Sequence, residues 1–205
     1  MLNIKDFLPG NDEKINQLLR FAAEADKMTG ISRRTMLLDK SRRENDAEHS
    51  WHIALMAMLF KDYASEGCDV TRAVQMCIVH DLVEIYAGDT FAYDQAANEG
   101  KNQREQIAAD KLFSELPEHL AKEFRTLWEE FDAMETPDAQ YAAAMDRLQP
   151  FLHNTLTGGH TWKEGNPSVG MVDKRIAPAV AAIPEVKDWY DKNIERAMEN
   201  GWIEK

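Results

Sequence analysis

The chain has 205 residues, of which 44% are hydrophobic and 29% are charged, and its formal net charge is −12 at pH 7. The length suits one globular domain with a sizeable core. The negative charge argues against binding to a nucleic-acid backbone, which needs clustered Lys and Arg, and no apolar run approaches the roughly 20 residues of a membrane span. A small anionic substrate stays compatible with this composition if a metal or a few arginines supply a local positive centre.

Two features of the sequence predict a cytoplasmic protein. The first ten residues, MLNIKDFLPG, mix charged with apolar residues too early for a signal peptide. Cys68 and Cys77 form neither a CxxC pair nor a disulfide framework, so we expect reduced thiols.

The first half of the chain has helical patterns. Residues 11–28 carry apolar side chains at helical spacing. Asn45 begins a second helix, with Glu48 three residues later as its capping-box partner. Four residues form the predicted apolar stripe of this helix, Ala54, Leu55, Met58 and Leu59.

A third helix is predicted to run from Asp69 as N-cap to Gly88 as its C-terminal stop. Its residues are apolar in every direction around the axis, which is typical of a buried helix. Four further helices are predicted. The first covers about 102–115, with Ile107, Leu112 and Phe113 inward, and the second follows Pro117. The third begins at Thr136 and Pro137 and bends at Pro150, and the fourth covers 185–199. Loops are expected at 91–100 and 157–167. The prediction is a single all-α domain over residues 1–205, a helical bundle.

Three titratable residues lie inside the buried third helix, in the stretch VHDLVEIYAGDT. His80 and Glu84 are one helical turn apart, and Asp81 lies about 100° around the axis from His80. Burying titratable groups costs roughly several kcal/mol unless a counter-charge or hydrogen bonds compensate them. A divalent metal is the simplest compensation, because it keeps the carboxylate ionised and the imidazole neutral.

Other polar residues in apolar helical surroundings are candidates to complete the site. These are His49 and His52 in EHSWHIALMAM and Asp146 in YAAAMDRLQPF. Imidazoles combined with carboxylates suit Mn, Co, Fe, Ni or Zn, with Mg also possible, and such a set leaves positions open for water and substrate. The alternative is a group of buried polar residues that satisfy one another through hydrogen bonds.

The ordered set of His49, His80-Asp81 and Asp146 resembles the H…HD…D ligand set of HD-domain metal-dependent phosphohydrolases. Over roughly residues 30–155, the stretches RTMLLDKSRRENDAEHS and HDLVEIYAGD are similar to the branch that contains the bacterial 5′-deoxynucleotidases. The resemblance implies an HD-type helical bundle in which these four residues bind one divalent metal. It implies attack of metal-activated water on the phosphorus of a nucleoside 5′-monophosphate, with a deoxyribonucleotide preferred.

The resemblance also implies roles for three further residues. Glu84 would orient the water and handle its proton, and Asp89 would act near the leaving oxygen or the sugar. Arg34 would pair with the phosphate, because the spacing to His49 favours it over the neighbouring Arg33. Simpler readings stay open: Glu84 as a salt-bridge partner, Asp89 as an N-cap, and Arg34 as a solvated residue.

One departure from the branch concerns the sugar. Thr35 stands where the deoxynucleotidases usually carry Trp as a wall beside the sugar, and this puts the deoxyribose preference in doubt. Two alternative functions stay open, an HD hydrolase of a cyclic nucleotide or guanosine tetraphosphate, and a metal- or nucleotide-binding module without turnover. The Glu84-Ile85 pair counts against the tetraphosphate hydrolases, which show Glu-Asp there.

The remaining histidines and the C-terminal aromatic residues leave open questions. We expect His52 to be a hydrogen-bonded core histidine rather than a group beside the site, and His153 to face away from the pocket. His160 fits a loop over the pocket or a subunit contact equally well. The final segment contains three aromatic residues, Trp189, Tyr190 and Trp202, which suit either a homodimer contact or core packing.

Overall fold

The computed structural model describes Gly10 and residues 12–204, so the stretch MLNIKDFLPG, which is predicted not to be a signal peptide, lies outside the described residues apart from Gly10. Within the described part the α-helices are α1 (Glu13–Ala25), α2 (Asp46–Leu59), α3 (Val70–Val79), α4 (Glu84–Ala87), α5 (Gln95–Asn98), α6 (Lys101–Phe113), α7 (Glu118–Ala133), α8 (Pro137–Thr157), α9 (His160–Gly165), α10 (Val169–Ala182) and α11 (Lys187–Glu199). Short 3-10 helices lie at Asp26–Gly30, Lys61–Tyr63 and Pro184–Val186. No described helix is long and apolar enough to cross a membrane.

The prediction of an all-α fold is confirmed, with one small addition. Strands β1 (Ser32–Met36) and β2 (Arg43–Asn45) form an antiparallel pair whose register joins Ser32 to Asn45 and Met36 to Arg43, with an irregularity between. The sequence SRRTM lacks the alternating apolar pattern of a strand, so sequence periodicity does not reveal the pair. The pair leads directly into α2 and places two consecutive arginines beside the start of that helix.

Helix α8 is the centre of the molecule, and it packs against α2, α3, α7 and α10. It begins as predicted, because the Thr136 side chain accepts a hydrogen bond from the Ala139 backbone N–H and Pro137 occupies the first turn. The helix continues through Pro150 to Thr157. Its residues Ala142–Met145 are fully buried, so Asp146 follows directly in the core.

The prediction of one continuous third helix is wrong. Helix α3 ends at Val79, and α4 starts again only at Glu84. Between them the backbone tightens to three-residue spacing, with the Leu82 amide bonded to the Val79 carbonyl and the Glu84 amide to that of Asp81. This turn removes the fixed 100° separation of a regular helix, so the side chains of His80 and Asp81 can converge. Gly88 ends α4 as predicted, with φ +76°.

The predicted inward stripe of α2 is largely wrong. Ala54 is buried, but Leu55, Met58 and Leu59 are exposed, and the buried positions are instead His49, Ile53, Met56 and Ala57. Ile107, predicted inward, is 63% exposed, whereas Leu112 and Phe113 are buried as expected. The two predicted loops contain α5 and α9.

Candidate metal centre

Two imidazoles from different helices lie in the centre, and Nδ1 of each ring already has a hydrogen-bond partner. His49 lies in the first turns of α2, fully buried, and its Nδ1 is 3.2 Å from Gln149 Oε1. His80 caps the end of α3, and its Nδ1 is 2.9 Å from the Cys77 carbonyl oxygen. Because a carbonyl oxygen only accepts, Nδ1 of His80 donates and its Nε2 keeps a lone pair directed into the centre.

Two carboxylates face these nitrogens. Asp81 Oδ1 lies 3.0 Å from His80 Nε2. Asp146 Oδ1 lies 3.1 Å from His49 Nε2 and 3.8 Å from His80 Nε2. His49, His80 and Asp81 form a buried group whose ligand atoms lie within 4.8 Å of one another, and Asp146 closes it from α8.

The donor set fits a divalent transition metal. His80 Nε2 is buried and has no hydrogen-bond partner in the described structure, although carboxylate oxygens surround it. Lone pairs that face one another at such distances are stable only with a cation or a proton between them. Two imidazole nitrogens with two carboxylates suit Mn, Co, Fe, Ni or Zn. The fold therefore builds a place for a cation.

Arg33 is the permanent cation of the centre. Its side chain is largely buried, and Nη1 lies 2.7 Å from Asp81 Oδ2 and 3.3 Å from Asp46 Oδ1. Nε lies 3.4 Å from Glu44 Oε1. Although burial alone would lower it, the pKa of Arg33 is raised well above its usual value because the carboxylates around it outweigh desolvation. Arg33 thus occupies the face of Asp81 turned away from His80.

Glu84 is the acid whose environment departs most from water. It is buried at the start of α4, and its Oε2 has no hydrogen-bond partner among the described residues. Desolvation, followed by the negative charges of Asp81 and Asp46, raises the pKa of Glu84 to about 11. Burial also raises the pKa of Asp89, which follows the Gly88 turn. In the protein without a cation, Glu84 therefore carries a proton at neutral pH.

A cavity of about 270 Å³ opens onto the centre. His80, Asp81, Glu84, Asp89 and Asp146 all line it. Five cationic side chains line it too: Arg33, Arg34, Lys101, Arg147 and Arg175. Its aromatic walls are Phe91, Tyr93, Phe131, Phe151 and Trp162. With Asp132, five carboxylates line the cavity opposite the five cations, so the lining is formally balanced and less negative than the molecule as a whole, whose net charge is −12.

Residues 25–187, most of the chain, match the sequence profile described as HD domain. The chain belongs to the HD domain family.

Solved and curated relatives extend this finding. The chain shares 42% identity and a TM-score of 0.90 with the crystal structure of a predicted metal-dependent phosphohydrolase from Magnetospirillum magnetotacticum, covering 97% of this chain and 100% of that one. It is 32% identical to the human 5′-deoxynucleotidase HDDC2 over 54% of this chain and 53% of the relative, and 33% identical to the bovine one over 53% and 52%. The chain thus spans about half the length of these curated relatives.

The fold brings the residues predicted from the sequence together around one cavity, except that Arg34 lies at the cavity mouth. The four proposed metal ligands meet, and Glu84 and Asp89 line the same cavity. Arg34 lies at the mouth with its side chain 55% exposed, 4.0 Å from Glu164 Oε2, and its guanidinium 5.7 Å from the Phe91 ring centre. Thr35 is buried and also lines the cavity.

Several polar residues of the centre are absent from the sequence-based prediction. The spacing to His49 favours Arg34 over Arg33, and the prediction does not include Asp46, Gln149 or Arg175. Arg175 Nη2 lies 3.0 Å from Asp146 Oδ2. Asp46 and Gln149 carry a detectable signal, because each is a polar residue in a helix one turn from a proposed ligand. Arg175 has no such signal, since only the packing of α10 on α8 brings it near.

The three undecided histidines fall outside the cavity lining. His153 is buried and contacts Gln149 and the Met36 carbonyl oxygen. His52 is half-buried beside it, with the ring centres 5.4 Å apart. His160 begins α9 and pairs with Glu164 at 3.3 Å, while its neighbours Thr161 and Trp162 line the cavity.

Proposed function

We propose that the chain is a metal-dependent phosphohydrolase that releases phosphate from nucleoside 5′-monophosphates. The observation that carries the proposal is the buried set of two imidazoles and two carboxylates at the floor of a cavity that arginines and aromatic side chains line. The names of the curated relatives, 5′-deoxynucleotidases, support a deoxyribonucleotide as the substrate. Thr35, in place of the Trp usual in that branch, leaves the sugar preference to be measured.

His49, His80, Asp81 and Asp146 would hold one divalent metal, with Mn, Co, Fe, Ni, Zn or Mg as the candidates. When bound, the cation supplies Lewis-acid stabilisation of a phosphoryl oxygen and lowers the pKa of a water molecule. Two arginines keep the carboxylate ligands ionised and oriented: Arg175 contacts the outer oxygen of Asp146, and Arg33 contacts that of Asp81.

Glu84 would handle the proton of the attacking water, and Asp89 that of the leaving 5′-oxygen. Glu84 is suited to this role because it is buried beside Asp81, lines the cavity and has an oxygen free of described partners. Asp89 lines the same cavity one turn beyond. Arg34 would bind the substrate phosphate at the mouth, where its exposed guanidinium has only a distant partner in Glu164. Phe91 offers a flat surface beside it.

Glu84→Gln tests the catalytic assignment. We expect Mn²⁺ and nucleotide binding to persist while phosphate release falls by about 100-fold or more, as for the loss of a general base. Binding is measured by calorimetry and phosphate release by a colorimetric assay. Glu130→Gln, whose carboxylate pairs with Arg72 outside the cavity lining, is the matched control and should keep wild-type turnover.

Equal turnover in Glu84→Gln and wild type would remove Glu84 from the mechanism. A wild-type protein that binds metal and nucleotide but releases no phosphate would instead support the binding module.

The proposal includes a cytoplasmic protein whose partner is a small nucleotide rather than nucleic acid or a membrane. The homodimer stays a prediction. Tyr190 is buried and Trp189 and Trp202 are partly buried against the core, so core packing accounts for these aromatic residues.

A further inference from the structure

Gln149 is a fully buried amide in contact with a proposed metal ligand. It lies on α8 one turn after Asp146, and its Oε1 is 3.2 Å from His49 Nδ1. Its Nε2 lies 2.7 Å from Glu44 Oε2 and 3.1 Å from His153 Nε2. A third and longer contact joins Nε2 to His52 Nδ1 at 3.4 Å. A buried amide is stable only when its carbonyl and its two N–H groups all have partners, and Glu44 and His153 are the nearer partners of the two N–H groups.

The hydrogen-bond direction along this chain is fixed at its far end. His153 Nδ1 is 2.8 Å from the Met36 carbonyl oxygen on β1. That oxygen can only accept, so the proton of the neutral ring sits on Nδ1 and His153 Nε2 accepts. The Gln149 NH₂ group must therefore face His153 and Glu44, and its carbonyl must face His49.

We propose that Gln149 positions His49 for metal binding, with Glu44 and His153 holding the amide in the required orientation. The Gln149 carbonyl accepts the His49 Nδ1 proton and leaves the Nε2 lone pair directed at the point shared with Asp146, 3.1 Å away. His80 obtains the same tautomer from the Cys77 carbonyl within its own helix. His49 has no such local carbonyl partner in the described contacts and depends on α8. Metal affinity is thus linked to the packing of β1, α2 and α8.

Gln149→Met tests this positioning role, because Met is similar in size and flexible but cannot accept the His49 proton. In metal-stripped protein reloaded with Co²⁺, we expect the dissociation constant to rise by about 10–100-fold. The Co²⁺ absorption spectrum should also change, since the imidazole orientation changes. Gln140→Leu, at an exposed position of the same helix, is the matched control and should bind as wild type.

The inference rests on the metal assignment of the proposed function, and His49→Ala separates the two. Loss of Co²⁺ binding in His49→Ala together with wild-type affinity and spectrum in Gln149→Met would overturn the role of Gln149 alone. Unchanged Co²⁺ binding in His49→Ala would overturn the ligand assignment itself.

A measurement on the wild-type protein covers the case in which Gln149→Met does not fold. In ¹⁵N-labelled, zinc-loaded protein, long-range NMR couplings report which ring nitrogen of each histidine carries the proton. We expect His153 to be protonated on Nδ1 and to have a bare Nε2. Protonation of His153 on Nε2 would reverse the amide and contradict the proposal.

Discussion

At the scale of single residues, Arg33 is the side chain whose environment the sequence least reveals. It sits among three buried carboxylates, those of Glu44, Asp46 and Asp81. The neighbouring Arg34, which the family spacing favours, is mostly exposed. Two adjacent side chains on a strand point to opposite faces, so one of the two arginines must point inward and the other outward. The sequence pattern does not reveal the strand, and so it does not show that Arg33 is the inward one.

Arg33→Ala should destabilise the protein strongly at pH 8. Removal of the guanidinium leaves buried carboxylates without their cation, which costs about 3–5 kcal/mol for a buried ion pair that loses one partner. Urea unfolding monitored by circular dichroism measures the change. Arg20→Ala removes the half-buried partner of the exposed Glu13 and should leave the unfolding midpoint close to wild type. Equal losses in the two variants would mean that the Arg33 cluster adds no stability.

At the scale of elements, the break between α3 and α4 does most to shape the centre. The run from Val70 to Ala87 contains neither Gly nor Pro and is apolar all round, so sequence alone favours one helix. The tight turn that starts at His80 instead lets Asp81 contact both His80 and Arg33. Gly88 was predictable, since a C-terminal glycine stop is a local signal.

Gly88→Ala should lower both stability and activity. Gly88 has φ +76° and ψ 150°, a conformation that L-residues avoid at a cost of about 1–3 kcal/mol, and an added Cβ would meet no atom within 4 Å. The strain would displace Asp89. Thermal unfolding and phosphate release measure the two effects.

Two glycines provide controls for this prediction. Gly67 has φ +84° and open space but does not line the cavity, so Gly67→Ala should lose stability and keep turnover. Gly30 has open space and no positive φ, so Gly30→Ala should leave both unchanged. Full turnover in Gly88→Ala would show that the position of Asp89 does not depend on this turn.

Helix α2 shows a limit of periodicity at the same scale. Its cap at Asn45 and Glu48 was predicted and is present, because a capping box is local chemistry. The buried face was misassigned, because apolar residues occupy both faces and the polar His49 belongs to the inner one. Hydrophobicity therefore could not distinguish the faces, whereas the metal-ligand pattern could have done so.

At the scale of the whole molecule, the buried acids make stability depend on pH and on metal. Burial raises the pKa of Glu44 to about 7, and burial with the nearby Asp81 charge raises that of Asp46 to about 7. Above pH 5 both carboxyl groups stay protonated in the folded state, whereas the unfolded chain has already released these protons. Their contribution to the free energy of unfolding is therefore lost as pH rises through about 7. Burial lowers the pKa of His49 to about 4, which acts in the opposite direction mainly below pH 6.5.

Metal-free protein should therefore be less stable at pH 8 than at pH 6. Glu44 alone accounts for about 1 kcal/mol over this range, and Asp46 and Glu84 act in the same direction. Mn²⁺ or Co²⁺ should restore stability most at pH 8, because a cation compensates the ionised cluster. Thermal unfolding at both pH values, with and without metal, measures this. A metal-free protein that becomes more stable from pH 6 to pH 8 would contradict the description of the cluster.

The set of His49, His80, Asp81 and Asp146 could be predicted because polar residues in apolar helical surroundings point to a metal and the resemblance to HD-domain phosphohydrolases selects these four among them. Arg175 could not be predicted from the sequence, because only the packing of α10 on α8 brings it near Asp146, whereas Gln149 has the weaker signal of a polar residue one turn from a proposed ligand.

The most direct test of the account is phosphate release across a matrix of substrates and metals. Metal-stripped protein is assayed with 5′-deoxyribonucleotides, 5′-ribonucleotides and the isomeric 3′-monophosphates, each with Mn²⁺, Co²⁺, Zn²⁺, Mg²⁺ or a chelator. We expect phosphate release from nucleoside 5′-monophosphates that disappears with chelator and returns with Mn²⁺ or Co²⁺. Absence of release from every 5′-monophosphate with every metal, or release that chelator leaves unchanged, would contradict it.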